Sequence, residues 1–146
     1  MHRFVVVASL LILLGAWFAP AQTRVNDKDI ATMMSNLKSD AGRFRSAFDN
    51  SVKSSTIRHT SQEKGSRILV KRFEDQAKGM LDHFKSHQKA DAELSLVISA
   101  SNQIDQLLHD VSFDDRTNSA WNKVRIELGQ LADAYGVQPP NPSRPH

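Results

Sequence analysis

The sequence predicts an all-α fold: four amphipathic helices packed as an antiparallel up-down bundle. Three observations carry this. No proline occurs between Asn26 and Tyr135. Apolar residues recur through that region at steps of three and four, which places them on one face of a helix, and the two-residue alternation of a half-buried strand is absent. Polar breaks at "SVKSSTIRHT", "KSHQKAD" and "SFDD" divide the region into four helix-length pieces. Such pieces joined by short connections pack most simply as an up-down bundle.

The first helix carries Ile30, Met33, Met34, Leu37, Ala41, Phe44, Phe48 and Val52 on one face. Asn26 or Asp27 suits its N-cap, because a short side-chain acceptor can bond a free amide of the first turn. "SVKSSTIRHT" is poor in helix formers and ends it. Thr60, followed three residues later by Glu63, makes a capping box in which each side chain bonds the other's backbone amide. The second helix continues through Leu69, Phe73, Ala77, Met80, Leu81 and Phe84. Neither Gly nor Pro marks its end near "KSHQKAD", so one long helix through this point is the alternative reading. Asp91 is the expected cap of the third helix, which carries Leu94, Val97, Ser101, Ile104, Leu108 and Val111. Asp114 can cap the fourth. Gly136 suits the left-handed turn that satisfies the last carbonyls, and Val137 can fold back onto the last turn. The first two helices read as longer than the last two.

Trp121, Val124, Leu128, Leu131 and Tyr135 form a regular stripe on the fourth helix. A stripe at this spacing reads as a core seam rather than as two aromatics aimed at a ligand. Tyr135 in the last turn can pack its ring while its hydroxyl reaches water. The pattern W-x2-V-R-x2-L-x2-L-x3-Y-x-V, as Trp121, Val124, Arg125, Leu128, Leu131, Tyr135 and Val137, resembles the ending of a group of small secreted bacterial helical proteins. "RFEDQAKGMLDHF", Arg72 to Phe84, is similar to their middle. The resemblance implies helical architecture and export, and brings no activity with it.

The ends of the chain suggest its location. His2 and Arg3 precede an apolar run from Phe4 to Ala19, and Ala19-Pro20-Ala21 sets small residues before a cut at Gln22. These are the three parts of a cleaved secretory signal peptide, residues 1–21. The run is shorter than the roughly 20 apolar residues a spanning anchor needs, so no stable membrane insertion is expected after cleavage. No cysteine follows the run, which excludes lipid attachment there. The chain has no cysteine at all, so the domain must stand on its core without disulfides. Residues 22–137 are long enough for one such core. Residues 138–146 hold four prolines and read as a disordered tail.

The chemistry on offer is thin. His83 and His87 lie four apart on the second helix and can present both imidazoles to one metal ion. Two nitrogens leave a site incomplete, and Asp105 and His109, four apart on the third helix, complete it only if the helices are in register. Lys78, Lys85 and Lys89 would repel a cation, so no metal site is assigned. A haem ligated by Met33, Met34 or Met80 is weighed and set aside, since methionines at helical spacing are core filler. There is no Cys-x-x-Cys-His and no Glu-x-x-His. Gly42, Gly65, Gly79 and Gly129 are isolated, so no phosphate loop is present, and Ser, His and Asp are scattered without a nucleophile elbow. The expectation is a non-enzyme without cofactor.

Charge is the more informative feature. Lys64, Lys71, Lys78 and Lys85 recur every seven residues along the second helix, with Asp75 and Asp82 between them. A line laced with opposite charge reads first as a solvated face, and second as a contact for an anionic lipid or envelope polymer. Residues 22–90 hold 14 Lys and Arg against 8 Asp and Glu, a net of +6, whereas residues 91–136 hold 3 against 8, a net of −5. Helices one and two should therefore lie against helices three and four, within one molecule or across a weak homodimer. An exported chain has no use for nucleic acid. The expected role is an interaction or structural module of the cell envelope, periplasmic or secreted, with an unknown protein or envelope component as partner. A metal- or haem-binding bundle is the alternative.

Overall fold

The computed structural model describes residues 25–140, which form four α-helices packed against one another, with no strand among the described residues. The helices are α1 (Asp27–Ser51), α2 (Ser61–His87), α3 (Asp91–Asp110) and α4 (Asp115–Tyr135). A short 3-10 turn, Val52–Ser54, extends α1. The expected signal peptide, residues 1–21, lies outside the described residues. So do residues 141–146 of the tail; within it, Gln138 and Pro139 are exposed and Pro140 is buried.

Local chemistry sets most of the helix ends. Asn26, not Asp27, caps α1, its side-chain oxygen accepting the Asp29 amide at 2.9 Å. Thr60 caps α2 as expected, accepting the Glu63 amide at 3.3 Å. The return bond of the box differs: Glu63 accepts from the His59 amide at 2.7 Å, because the Thr60 amide is already bonded to the Ile57 carbonyl. Asp114 caps α4 through the Thr117 amide at 2.8 Å. Gly136 adopts φ +65°, and the Val137 amide reaches back to the Ala132 carbonyl at 3.0 Å, so α4 closes as the glycine predicts.

Helices α2 and α3 are separate. Gln88 turns left-handed at φ +53°, and its amide bonds the Phe84 carbonyl at 2.7 Å. Asp91 does not cap α3. It is the first helical residue, and Ala90, which lacks a capping side chain and is 1% exposed, occupies the cap position. No side chain caps this boundary, and Ala90 is packed into the bundle end instead.

Neighbouring helices run antiparallel. α1 packs extensively on both α2 and α4, α2 on α3, while α3 and α4 meet only sparsely. The order around the bundle is thus α3, α2, α1, α4, with the last side loosely closed. The core contains Met34, Leu37, Phe44, Phe48, Phe73, Met80, Leu81, Leu94, Ile104, Leu128 and Leu131, all at most 2% exposed. Several positions depart from the sequence reading, Val70 being buried where Leu69 was expected. Leu107 is buried where Leu108 was expected and Leu108 is only partly so; Ile57, in a stretch read as a plain break, is buried at 4% exposure.

Candidate functional site

Trp121 lies where all four helices converge. It is 2% exposed, its ring centroid 4.8 Å from Phe44 of α1 and 5.2 Å from Phe73 of α2. Its indole Nε1 donates to Asp105 Oδ1 of α3 at 2.7 Å. The stripe is core. Tyr135 is partly buried at the stripe's end. Burial pushes its hydroxyl pKa up, and Asp91, Asp27 and Glu93 push the same way.

Asp105 is the price of seating an indole N–H inside. Burial raises its carboxyl pKa, against which the Trp121 bond and Arg125 pull it down. Arg125 Nε lies 3.1 Å from the same oxygen. Asp105 is therefore occupied between α3 and α4 and does not meet the histidine pair.

His83 and His87 stack with centroids 4.3 Å apart and planes at 21°. His83 Nδ1 is 3.4 Å from Glu93 Oε1, and His87 Nδ1 is 3.2 Å from the His83 carbonyl. The antiparallel register sets His83 beside Glu93 near the start of α3. Asp105 lies 12 residues further along α3, roughly 18 Å at 1.5 Å per residue, so it and His109 cannot complete a site with the pair. Among the described residues no three His, Cys, Asp or Glu side chains are placed to hold a metal ion. Met34 and Met80 are fully buried, and Met33 packs against the core.

The four lysines of the heptad line are exposed along α2. Lys71 bonds Asp75 at 2.6 Å, which holds the Asp75 carboxyl below its usual pKa. The arginines behave differently. Glu74, Arg45, Asp49, Arg67 and Glu63 form an alternating network across α1 and α2. Its contacts run at 2.6 Å for Arg45–Glu74, 3.8 Å for Arg45–Asp49, 2.6 Å for Arg67–Asp49 and 2.9 Å for Arg67–Glu63. Gly42 leaves room for this network: a Cβ there would stand 3.3 Å from Glu74 Oε1.

The charge split becomes a polarity across the bundle. α1 and α2 are neighbours and make the basic side; α3 and α4 make the acidic side, and their acid-rich pair is the loosest contact. The expected placement of basic against acidic helices holds at α1–α4 and α2–α3. Direct pairing does not follow the split, however. The ion pairs among the described residues lie mostly within the basic half, and Lys123–Asp40 at 3.1 Å runs the opposite way, from an α4 lysine to an α1 aspartate.

That last pair belongs to a cluster the sequence reading missed. Asp40, 3% exposed, is flanked by Arg43 at 2.8 Å and Lys123 at 3.1 Å, with Glu127 of α4 beside it. Burial first, then Asp40, pushes the Glu127 pKa up to about 7. Hydrogen bonds from Glu127, Lys123 and Arg43 outweigh burial at Asp40 and hold it low. The available signal was position: Asp40 adjoins Leu37, Ala41 and Phe44, and Glu127 adjoins Val124, Leu128 and Leu131, so both border core stripes.

At the end of the bundle holding Gln88, an open cavity of about 260 Å³ is lined by Asp27, Ile30, Phe84, Lys89, Asp91 and Tyr135 among others. No described helix is long and apolar enough to cross a membrane. Comparison of the chain with protein-family models, curated proteins and solved structures finds no match.

Proposed function

We propose that this protein is an exported, non-enzymatic helical module of the cell envelope that works by contact, and that the α1–α2 side meets an anionic envelope component. The observation carrying this is that three lysines of the α2 line stand outside the ion pairs that tie α1 to α2. Arg43, Arg45 and Arg67 are engaged in ion pairs within the fold, whereas Lys64, Lys78 and Lys85 stand exposed on α2 without an ion pair among the described residues. Lysine is a strongly hydrated point charge on a flexible stem, suited to a diffuse anionic surface; arginine's planar fork is suited to fixed pairs. The signal peptide read from residues 1–21 supports a surface outside the cytoplasm, in the periplasm or beyond, and the resemblance to small secreted bacterial proteins agrees with that.

Lysine-reactive crosslinking in the native envelope, followed by identification of what is attached, tests the reading. Attachment through the line at Lys64, Lys71, Lys78 and Lys85 is expected. Attachment confined to α3 and α4, or recovery of the protein from the cytoplasm, would refute it. The second reading, a metal-binding bundle, is favoured by one observation, the stacked His83–His87 pair. Metal analysis and absorption spectra of protein purified from its native host separate the two.

A further inference from the structure

The α1–α4 seam carries two carboxyls, Asp40 and Glu127, at the border of its apolar packing. Lys123, one turn before Glu127 on α4, lies 3.1 Å from Asp40, which sets the Glu127 carboxyl beside Asp40 across the seam. Two ionised carboxylates offer acceptors only, so this contact exists only while one of them holds a proton. Arg43 of α1 and Lys123 of α4 are the charged groups facing the pair, and both bond Asp40, at 2.8 Å and 3.1 Å. Asp40 is therefore the ionised member and Glu127 carries the proton. Glu127 Oε2 is buried and takes no hydrogen bond from any described donor, so a charge on it is left with only the longer-range attraction of Lys123 and Arg43.

We propose that the Asp40–Glu127 contact is a proton-operated latch for α4, which sits tightly on α1 while the two carboxyls share a proton and loosens along this seam when the proton leaves. The neighbouring contacts make α4 the element that responds. α1 is its main support, and its other flank meets α3 only sparsely, at Asp105 with Trp121 and Arg125. The direction follows from linkage. Glu127 rises from an ordinary 4.5 to about 7 in the folded chain. An acid whose folded pKa is raised costs nothing below its unfolded pKa; the penalty grows through the interval and is complete above the folded pKa. The latch therefore releases as pH climbs to and past neutrality.

Native-state hydrogen exchange of the purified protein from about pH 5.5 to 8.5, corrected for the intrinsic pH dependence of exchange, reads the latch directly. One pKa unit is tenfold in an equilibrium, so the full shift sets a ceiling of about 300-fold. Because Glu127 is only partly buried, we expect α4 amides to lose protection roughly 10- to 100-fold relative to α2 across the range. Glu127→Gln keeps a neutral donor toward Asp40 and should abolish the loss, while leaving every histidine in place. Parallel protection of α4 and α2, or a loss that persists in Glu127→Gln, would overturn the proposal. Should that variant fail to fold, the carbon chemical shift of the Glu127 carboxyl in the unaltered protein decides. A midpoint near 7 shared by α4 resonances supports the latch, and an ordinary carboxylate midpoint sinks it.

Discussion

Replacing Trp121 tests the packing argument at its centre. The indole is 2% exposed and touches a ring from α1, a ring from α2 and a carboxylate from α3. Trp121→Ala removes the apolar burial and leaves a cavity that three other helices would have to collapse into, a change expected to cost about 3–5 kcal/mol. Natural domains hold about 5–15 kcal/mol in total, so the variant should be marginal. Trp121→Phe separates packing from hydrogen bonding. It keeps a ring against Phe44 and Phe73 but deletes the donor to Asp105, and should cost about 1–3 kcal/mol, the range for depriving a buried or charged acceptor. That second loss carries a pH signature. Asp105 already has its folded pKa raised above 3.8 by burial, and losing the indole donor raises it further. The added penalty is present when the unfolded carboxyl is ionised and vanishes below its unfolded pKa, so the Phe defect should shrink on acidification. The assay is urea unfolding followed by far-ultraviolet circular dichroism, at neutral pH and near pH 3. Trp121→Ala within about 1 kcal/mol of the unaltered protein would mean that the indole is not core and would revive a binding role. A Phe defect independent of pH would refute the Asp105 argument alone.

Four further outcomes are expected. Gly136→Ala forces a side chain into φ +65° and should cost about 1 kcal/mol in the same urea assay; a neutral result would mean that α4 can end differently. Sodium chloride raised from about 0.01 M to 0.2 M should lower the melting temperature by a few degrees, because it screens both the Arg45–Asp49–Arg67 network and the attraction between the basic and acidic sides. Stability rising from the lowest salt, with a monomer throughout by sedimentation, would contradict this. Calorimetric titration with Zn, Cu and Ni should show no submicromolar binding, and tight binding lost in His83→Ala or His87→Ala would reverse that reading. Intact mass of the exported protein should correspond to a chain beginning at Gln22, and a mass retaining residues 1–21 would indicate an anchor.

Features decided within one or two turns were legible in the sequence. Asn26, Thr60, Asp114 and Gly136 act on amides or carbonyls three to five residues away, so their roles follow from spacing alone. The stripes on α1 and α4 were equally readable, because burying an apolar face is the main reason such helices hold together. The capping box was read correctly in kind and misplaced by one amide, since the competing bond from Thr60 to Ile57 arises from the path of the preceding connection. Tertiary structure decided the rest. It ended α2 at a left-handed glutamine, buried Ala90 and Ile57, and chose Leu107 over Leu108, because these depend on what lies above each residue in a neighbouring helix. It also separated Asp105 from the histidines and joined Asp40 to Glu127, 87 positions away. Helical periodicity reveals which residues face inward but is unchanged when one helix slides or rotates against another. The register that brings two carboxyls together is set only when whole surfaces pack, and this protein's least ordinary chemistry lies there.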